Sequence, residues 1–200
     1  MRKHNLIILA GLILASWVAP PAFAQLEWRV SVKFILDGND NRPAAAGSLS
    51  SDAEVQAQID LANQILDDTG RGYRLVLTET VDLSGVDEWF NDNVLTSKGP
   101  LEAAAEGDPS TYAWRSNAIN IYINGSNSSG VCSFPNILGE DIIFLGQDVR
   151  NTTILHEIGH YMNLCHTQGC ICGSCDPDGF LDECNRTPGN DEVGDTLPDL

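Results

Sequence analysis

Basic residues are scarce in this chain: 11 lysines and arginines face 28 acids in 200 residues, a formal charge of −17. A surface so acidic repels phosphate backbones and anionic lipid headgroups, which argues against nucleic acid and charged membranes as partners. Long apolar runs are missing after the first two dozen residues, so no second segment approaches membrane-spanning length. No internal repeat or extended low-complexity run appears, which sets repeat architectures aside. Histidine is scarce as well, with four in the whole chain.

The first 24 residues read as an export signal rather than as structure. Arg2 and Lys3 form the basic start, Leu6 to Val18 the apolar run, and Ala22-Phe23-Ala24 the small-x-small cleavage site. No cysteine follows that site, so a lipid anchor is not indicated, and the apolar run is short for a membrane span. The expected location is secreted, extracellular or periplasmic, with no membrane anchor after cleavage. Removing 24 of 200 residues leaves 176, Gln25 to Leu200, one domain large enough for its own core. Loss of Arg2 and Lys3 takes the charge from −17 to −19. Loss of His4 leaves His156, His160 and His166, with no histidine to spare for another role.

All three lie in the stretch His156-Glu157-Ile158-Gly159-His160-Tyr161-Met162-Asn163-Leu164-Cys165-His166. Residues four apart stack one turn above each other on a helix, so His156 and His160 aim both imidazoles at one spot, a two-point grip on a metal. Glu157 can lean over the same spot, where a carboxylate takes a proton from a metal-bound water. His166 lies six residues beyond His160, so the helix must stop and turn back for it to join them. An isolated His-x-x-x-His pair more often decorates a helix surface. A third histidine at this spacing, an adjacent glutamate and an export signal together select Zn2+. The expected metal ligands are therefore His156, His160 and His166, and the expected catalytic base is Glu157. In the longer motif H-E-x-x-H-x-x-G-x-x-H a glycine makes the turn in left-handed backbone. Asn163 stands there in this chain, the next most tolerant residue of that conformation.

This stretch resembles the metzincin zinc endopeptidases. His166-Thr167, Gly169-Cys170 and Asp191-Glu192-Val193-Gly194-Asp195-Thr196 narrow the likeness to the pappalysin family. The likeness covers Ile119 to the C-terminus by motif and the N-terminal part by pattern only. It implies a secreted zinc metalloendopeptidase acting on protein or peptide substrates, with Glu157 as general base toward a zinc-bound water. On that basis a metallopeptidase domain spans 25–200, with an upper subdomain over 25–166 and an incomplete lower subdomain over 167–200.

Two features depart from that family. Metzincins carry a methionine turn downstream of the third histidine, whereas the methionines here are Met1 and Met162. The sequence ends at Leu200, which reads as truncation before that turn. Few residues separate Ala24 from the first expected strand, which leaves no room for an inhibitory propeptide. A second reading therefore stands beside the first: a non-catalytic secreted zinc- or calcium-binding domain derived from such a peptidase. The intact Glu157 argues against it.

Cys132, Cys165, Cys170, Cys172, Cys175 and Cys184 make an even number, which in an exported chain argues for disulfides without fixing their pairing. The last four are clustered and offer a four-thiolate zinc site as the alternative. Asp176-Pro177-Asp178-Gly179 with Asp182 and Glu183 forms either a Ca2+ cage of hard oxygens or a solvated acidic loop. Calcium near the active site is what the family resemblance implies.

For the fold, Trp28 to Leu36 alternates as a strand, and Ser50 or Ser51 caps a helix to Asp68 with Val55, Ile59, Ala62, Ile65 and Leu66 on one face. Tyr73 to Leu83 is a second strand, and this strand-helix-strand unit predicts parallel pairing. Val86 to Leu95 and Leu101 to Glu106 read as short helices parted by Lys98-Gly99-Pro100. Ala118 to Ile123, Val131 to Phe134 and Ile142 to Leu145 are further strands, the first two joined by a loop of glycine, serine and asparagine. Asn151 or Thr152 is expected to cap the helix carrying His156 and His160. The fold class is α/β (α+β): a twisted mixed five-stranded sheet, an active-site helix and an irregular, disulfide-rich C-terminal part. This order is similar to a metzincin-like zincin domain, whose edge strand binds substrate in extended form. Val131 to Phe134 has either that role or that of a plain structural edge.

Overall fold

The computed structural model describes residues 25–43, 49–127, 130–132, 141–147, 149–162 and 164. The expected export segment 1–24, Phe134, Asn163, His166, the side chains of all six cysteines and the acidic run 176–183 lie outside them.

The chain opens on β1 (Leu26–Ile35), followed by α1 (Asp52–Asp68) and β2 (Tyr73–Leu83). β2 returns parallel to β1, as a strand-helix-strand unit requires. Helix α1 starts on a reciprocal cap. The Glu54 amide donates to Ser51 Oγ at 3.3 Å, and the Glu54 carboxylate accepts from the Ser50 amide at 2.9 Å. Then come α2 (Val94–Gly107), β3 (Ile119–Ile123), β4 (Gly130–Cys132), β5 (Ile142–Leu145) and α3 (Thr153–Tyr161). The sheet order is β2-β1-β3-β5-β4. Four strands are parallel, and β4 alone runs antiparallel, against β5 at the edge. The domain is α/β with a mixed five-stranded sheet.

Both faces of the sheet are covered, so the central strands are buried on both sides. On one face Val30, Val32, Phe34, Ile121 and Leu145 pack with Val55 and Ile59 of α1 and Ile154 and Ile158 of α3. On the other, Ile35, Tyr122, Ile142 and Phe144 pack with Val94, Leu101 and Ala105 of α2. That second core corrects the expectation of two short helices parted at Pro100. A 3-10 turn over Asp87–Trp89 is followed by one continuous helix, with Pro100 inside it. Val94, Lys98, Leu101 and Ala105 form a single buried stripe, spaced four, three and four, that runs through Gly99 and Pro100. Burying that stripe outweighs the one backbone bond a proline removes.

Ser31 and Lys33 lie on the second face of β1 and are fully buried. Lys33 Nζ donates to Asn120 Oδ1 at 2.5 Å and to the Ser31 carbonyl at 3.2 Å, and sits 5.2 Å from the Tyr122 ring centroid. Burial pulls its pKa from the ordinary 10.5 down to about 7, against the opposing pull of Glu79 and with the help of Arg115. Between those values the unfolded chain binds a proton that the folded chain does not. Stability from this group therefore rises with pH through that window, is complete above it, and is lost as pH falls to about 7. Denaturant unfolding of wild type and Lys33→Met at pH 7 and pH 9 checks this. Wild type should gain on the order of 2 kcal/mol relative to the variant between the two. An identical pH response would contradict it.

Candidate metal centre

Helix α3 is held at both ends by partners from elsewhere in the chain. The expected cap from Asn151 or Thr152 is not what the structure contains: Thr152 precedes the helix without a side-chain capping bond. Gln58 of α1 supplies it instead. Its Oε1 accepts from the Ile154 amide at 3.3 Å, and its Nε2 donates to the Arg150 carbonyl at 2.9 Å. Gln58 is 7% exposed, so one amide satisfies two backbone groups that the buried junction of α1 and α3 would otherwise orphan. At the other end Tyr161 Oη donates to the carboxylate of Asp141, immediately before β5. The Asp141 amide donates in turn to Glu102 of α2, tying the two faces of the sheet together.

Held this way, α3 turns Ile154 and Ile158 into the core. Positions 156 and 160 lie two residues further on, about 200° around the axis, and so point outward. His156 is exposed and His160 half-buried. The two rings stand nearly perpendicular, at 86°, with centroids 4.6 Å apart. Their Nε2 atoms approach to 3.1 Å. His160 Nδ1 lies 2.7 Å from the Leu164 carbonyl, which can only accept, so in the neutral ring that nitrogen carries the hydrogen and Nε2 keeps its lone pair. A backbone carbonyl in this position is a common orienting partner of a metal-binding imidazole.

The pair fits zinc. Two nitrogens on one tetrahedral zinc at about 2.0–2.1 Å stand about 3.3–3.4 Å apart, close to the observed separation. Beyond Tyr161 the chain turns back. The Met162 amide donates to the Ile158 carbonyl at 3.0 Å, while that of Leu164 reaches the Gly159 carbonyl, five residues back, at 2.9 Å. Such a six-to-one closure commonly ends a helix. Among the described residues no three metal-ligating side chains come together, and the third expected ligand, His166, lies outside them.

Glu157 is 6% exposed and lies against the edge strand. A Cβ added to Gly130 of β4 would come 3.2 Å from Glu157 Oε1 and 3.5 Å from its Cδ. Helix α3 thus carries two convergent imidazoles on its outward face and, on the residue between them that adjoins His156, a carboxyl buried against the antiparallel edge strand. Two contributors were missed from the sequence. Gly130 falls at the end of the loop of glycine, serine and asparagine, and Gln58 is not singled out by the sequence reading. The second had a signal: Gln58 adjoins Ile59 and lies three residues from Val55, inside the apolar stripe of α1.

The chain matches no protein-family model and no curated protein. Among the described residues no helix is long and apolar enough to cross a membrane.

Proposed function

We propose that this chain is an exported, metzincin-like zinc metalloendopeptidase, with His156, His160 and His166 as the metal ligands and Glu157 as the general base. The observation that carries the reading is the 3.1 Å approach of the two Nε2 atoms, with His160 Nδ1 held by the Leu164 carbonyl. Zinc, when bound, would draw the pKa of a coordinated water toward about 7 and polarise a substrate carbonyl.

The chain's own residues do the remaining work. The hydrogen bond from His160 Nδ1 to the Leu164 carbonyl selects the tautomer that leaves the Nε2 lone pair for the metal. Glu157 accepts a proton from the attacking water and returns it to the leaving amine. Its burial against β4 keeps bulk water from competing for the carboxylate. β4 pairs on one side with β5 and has no second strand partner among the described residues. An extended peptide adding to that edge would run past Glu157, bonded through its backbone. Disulfides among the six cysteines, Ca2+ in the acidic run 176–183 and export by the segment 1–24 belong to the same reading.

The test is cleavage of an unfolded protein substrate by the purified chain, zinc-loaded, stripped with a chelator, and reloaded. Activity should vanish on stripping and return with zinc. A folded, zinc-loaded chain that cleaves nothing would overturn the enzyme reading in favour of a non-catalytic binding domain.

A further inference from the structure

Gly130 opens β4 and pairs with Leu145 of β5. Its backbone is not in the left-handed region, so conformation does not call for glycine there. Space does. A Cβ at this position would meet Leu145 Cδ2 at 2.6 Å and Glu157 Oε1 at 3.2 Å. The first separation is shorter than any real contact, so the Leu145 side chain or the strand would have to move. The second would force the carboxylate or the strand to shift.

The other glycines with described surroundings differ. Gly125 also lacks room, but its obstacle is the Phe90 ring at 2.4 Å. Gly159, on the metal helix itself, would meet only Leu164 Cδ1 at 3.9 Å, so a methyl fits there. Among the glycines with described surroundings, only at Gly130 would an added Cβ crowd a side chain to which a chemical role is assigned above.

We infer that Gly130 is a positioning residue for Glu157: the missing side chain lets the buried carboxyl lie directly against the edge strand. This rests on the proposed function, because the consequence for catalysis follows only if Glu157 is the base. A larger residue at 130 displaces the carboxyl from the line of a peptide docked on β4, while both imidazoles, which face outward from α3, keep their geometry. The expected signature is a loss in kcat with zinc affinity and KM little changed, since an interaction needed in the transition state is impaired and ground-state binding is not.

Gly130→Ala alone confounds two contacts, so the test is run in a Leu145→Val background, which deletes the Cδ2 atom responsible for the tighter one. Relative to that background, Gly130→Ala should lower kcat about tenfold or more, since small misplacements of a reacting group are costly. It should add nothing once Glu157 is also replaced by glutamine. A second arm needs neither metal nor activity. The thermal destabilisation caused by Gly130→Ala should shrink when Glu157→Ala removes the carboxyl it collides with, a coupling expected only of groups in direct contact. Equal destabilisation in both backgrounds, or a kcat loss that persists in the glutamine variant, overturns the inference. Absence of cleavage by the unmutated, zinc-loaded chain overturns the enzyme reading instead, and the stability arm still decides whether Gly130 holds Glu157.

Discussion

Glu157→Gln is expected to lower peptide hydrolysis by about two to four orders of magnitude with zinc content unchanged, the loss typical of removing a general base. Glutamine has nearly the shape of glutamate, so it fills the same buried position beside Gly130 without opening a cavity. It cannot accept a proton. Glu157 is not among the three expected ligands, so the metal should stay bound. The measurement is kcat/KM on an unfolded protein substrate together with metal analysis of the same samples. Retained activity would remove Glu157 from the mechanism. Loss of zinc along with activity would instead make it a ligand.

His160→Ala should have the opposite signature, with metal binding lost and the fold kept. His160 brings its Nε2 to within 3.1 Å of the other imidazole, and its ring is fixed by the Leu164 carbonyl. Deleting an orienting partner of a metal ligand costs about 10–100-fold in affinity, so deleting the ligand itself should cost more, on the order of a thousandfold. The fold should hardly respond, because the core face of α3 is carried by Ile154 and Ile158 and its ends by Gln58 and Asp141. Competition with a chromophoric chelator reads the affinity, and the melting temperature of the metal-free protein reads the fold. Unchanged affinity with a fall of several degrees in melting temperature would mean that His160 is structural.

These residues were legible in the sequence because their signal is local. Two histidines four apart need only a helix to converge, and the helix is there. The strands were legible for a similar reason: Val30, Val32 and Phe34 alternate, and Ile142 to Leu145 is a short apolar run. What the sequence hid was set by contacts across it. Gln58 caps a helix 96 residues away from it in the chain, and no local pattern announces that. Pro100 reads as a break until the second core, which spans Gly99 and Pro100, is known. Lys33 alternates with apolar residues as though it faced solvent, yet α2 and the loop bearing Tyr112 cover that side, so the amine is enclosed. Gly130 looked like loop because its meaning lies in the space a side chain would take from Leu145 and Glu157.

The most direct test of the central claim, that α3 presents two imidazoles to one zinc ion, is X-ray absorption at the zinc edge of the loaded, purified chain. The rival ligands are the clustered cysteines at 170, 172, 175 and 184. An imidazole site predicts a first shell of nitrogen and oxygen at about 2.0–2.1 Å with the outer-shell scattering of histidine rings, lost in His160→Ala. A sulfur shell at about 2.3 Å, unaffected by that substitution, would mean that the metal sits on thiolates and that the histidine pair is not a zinc site.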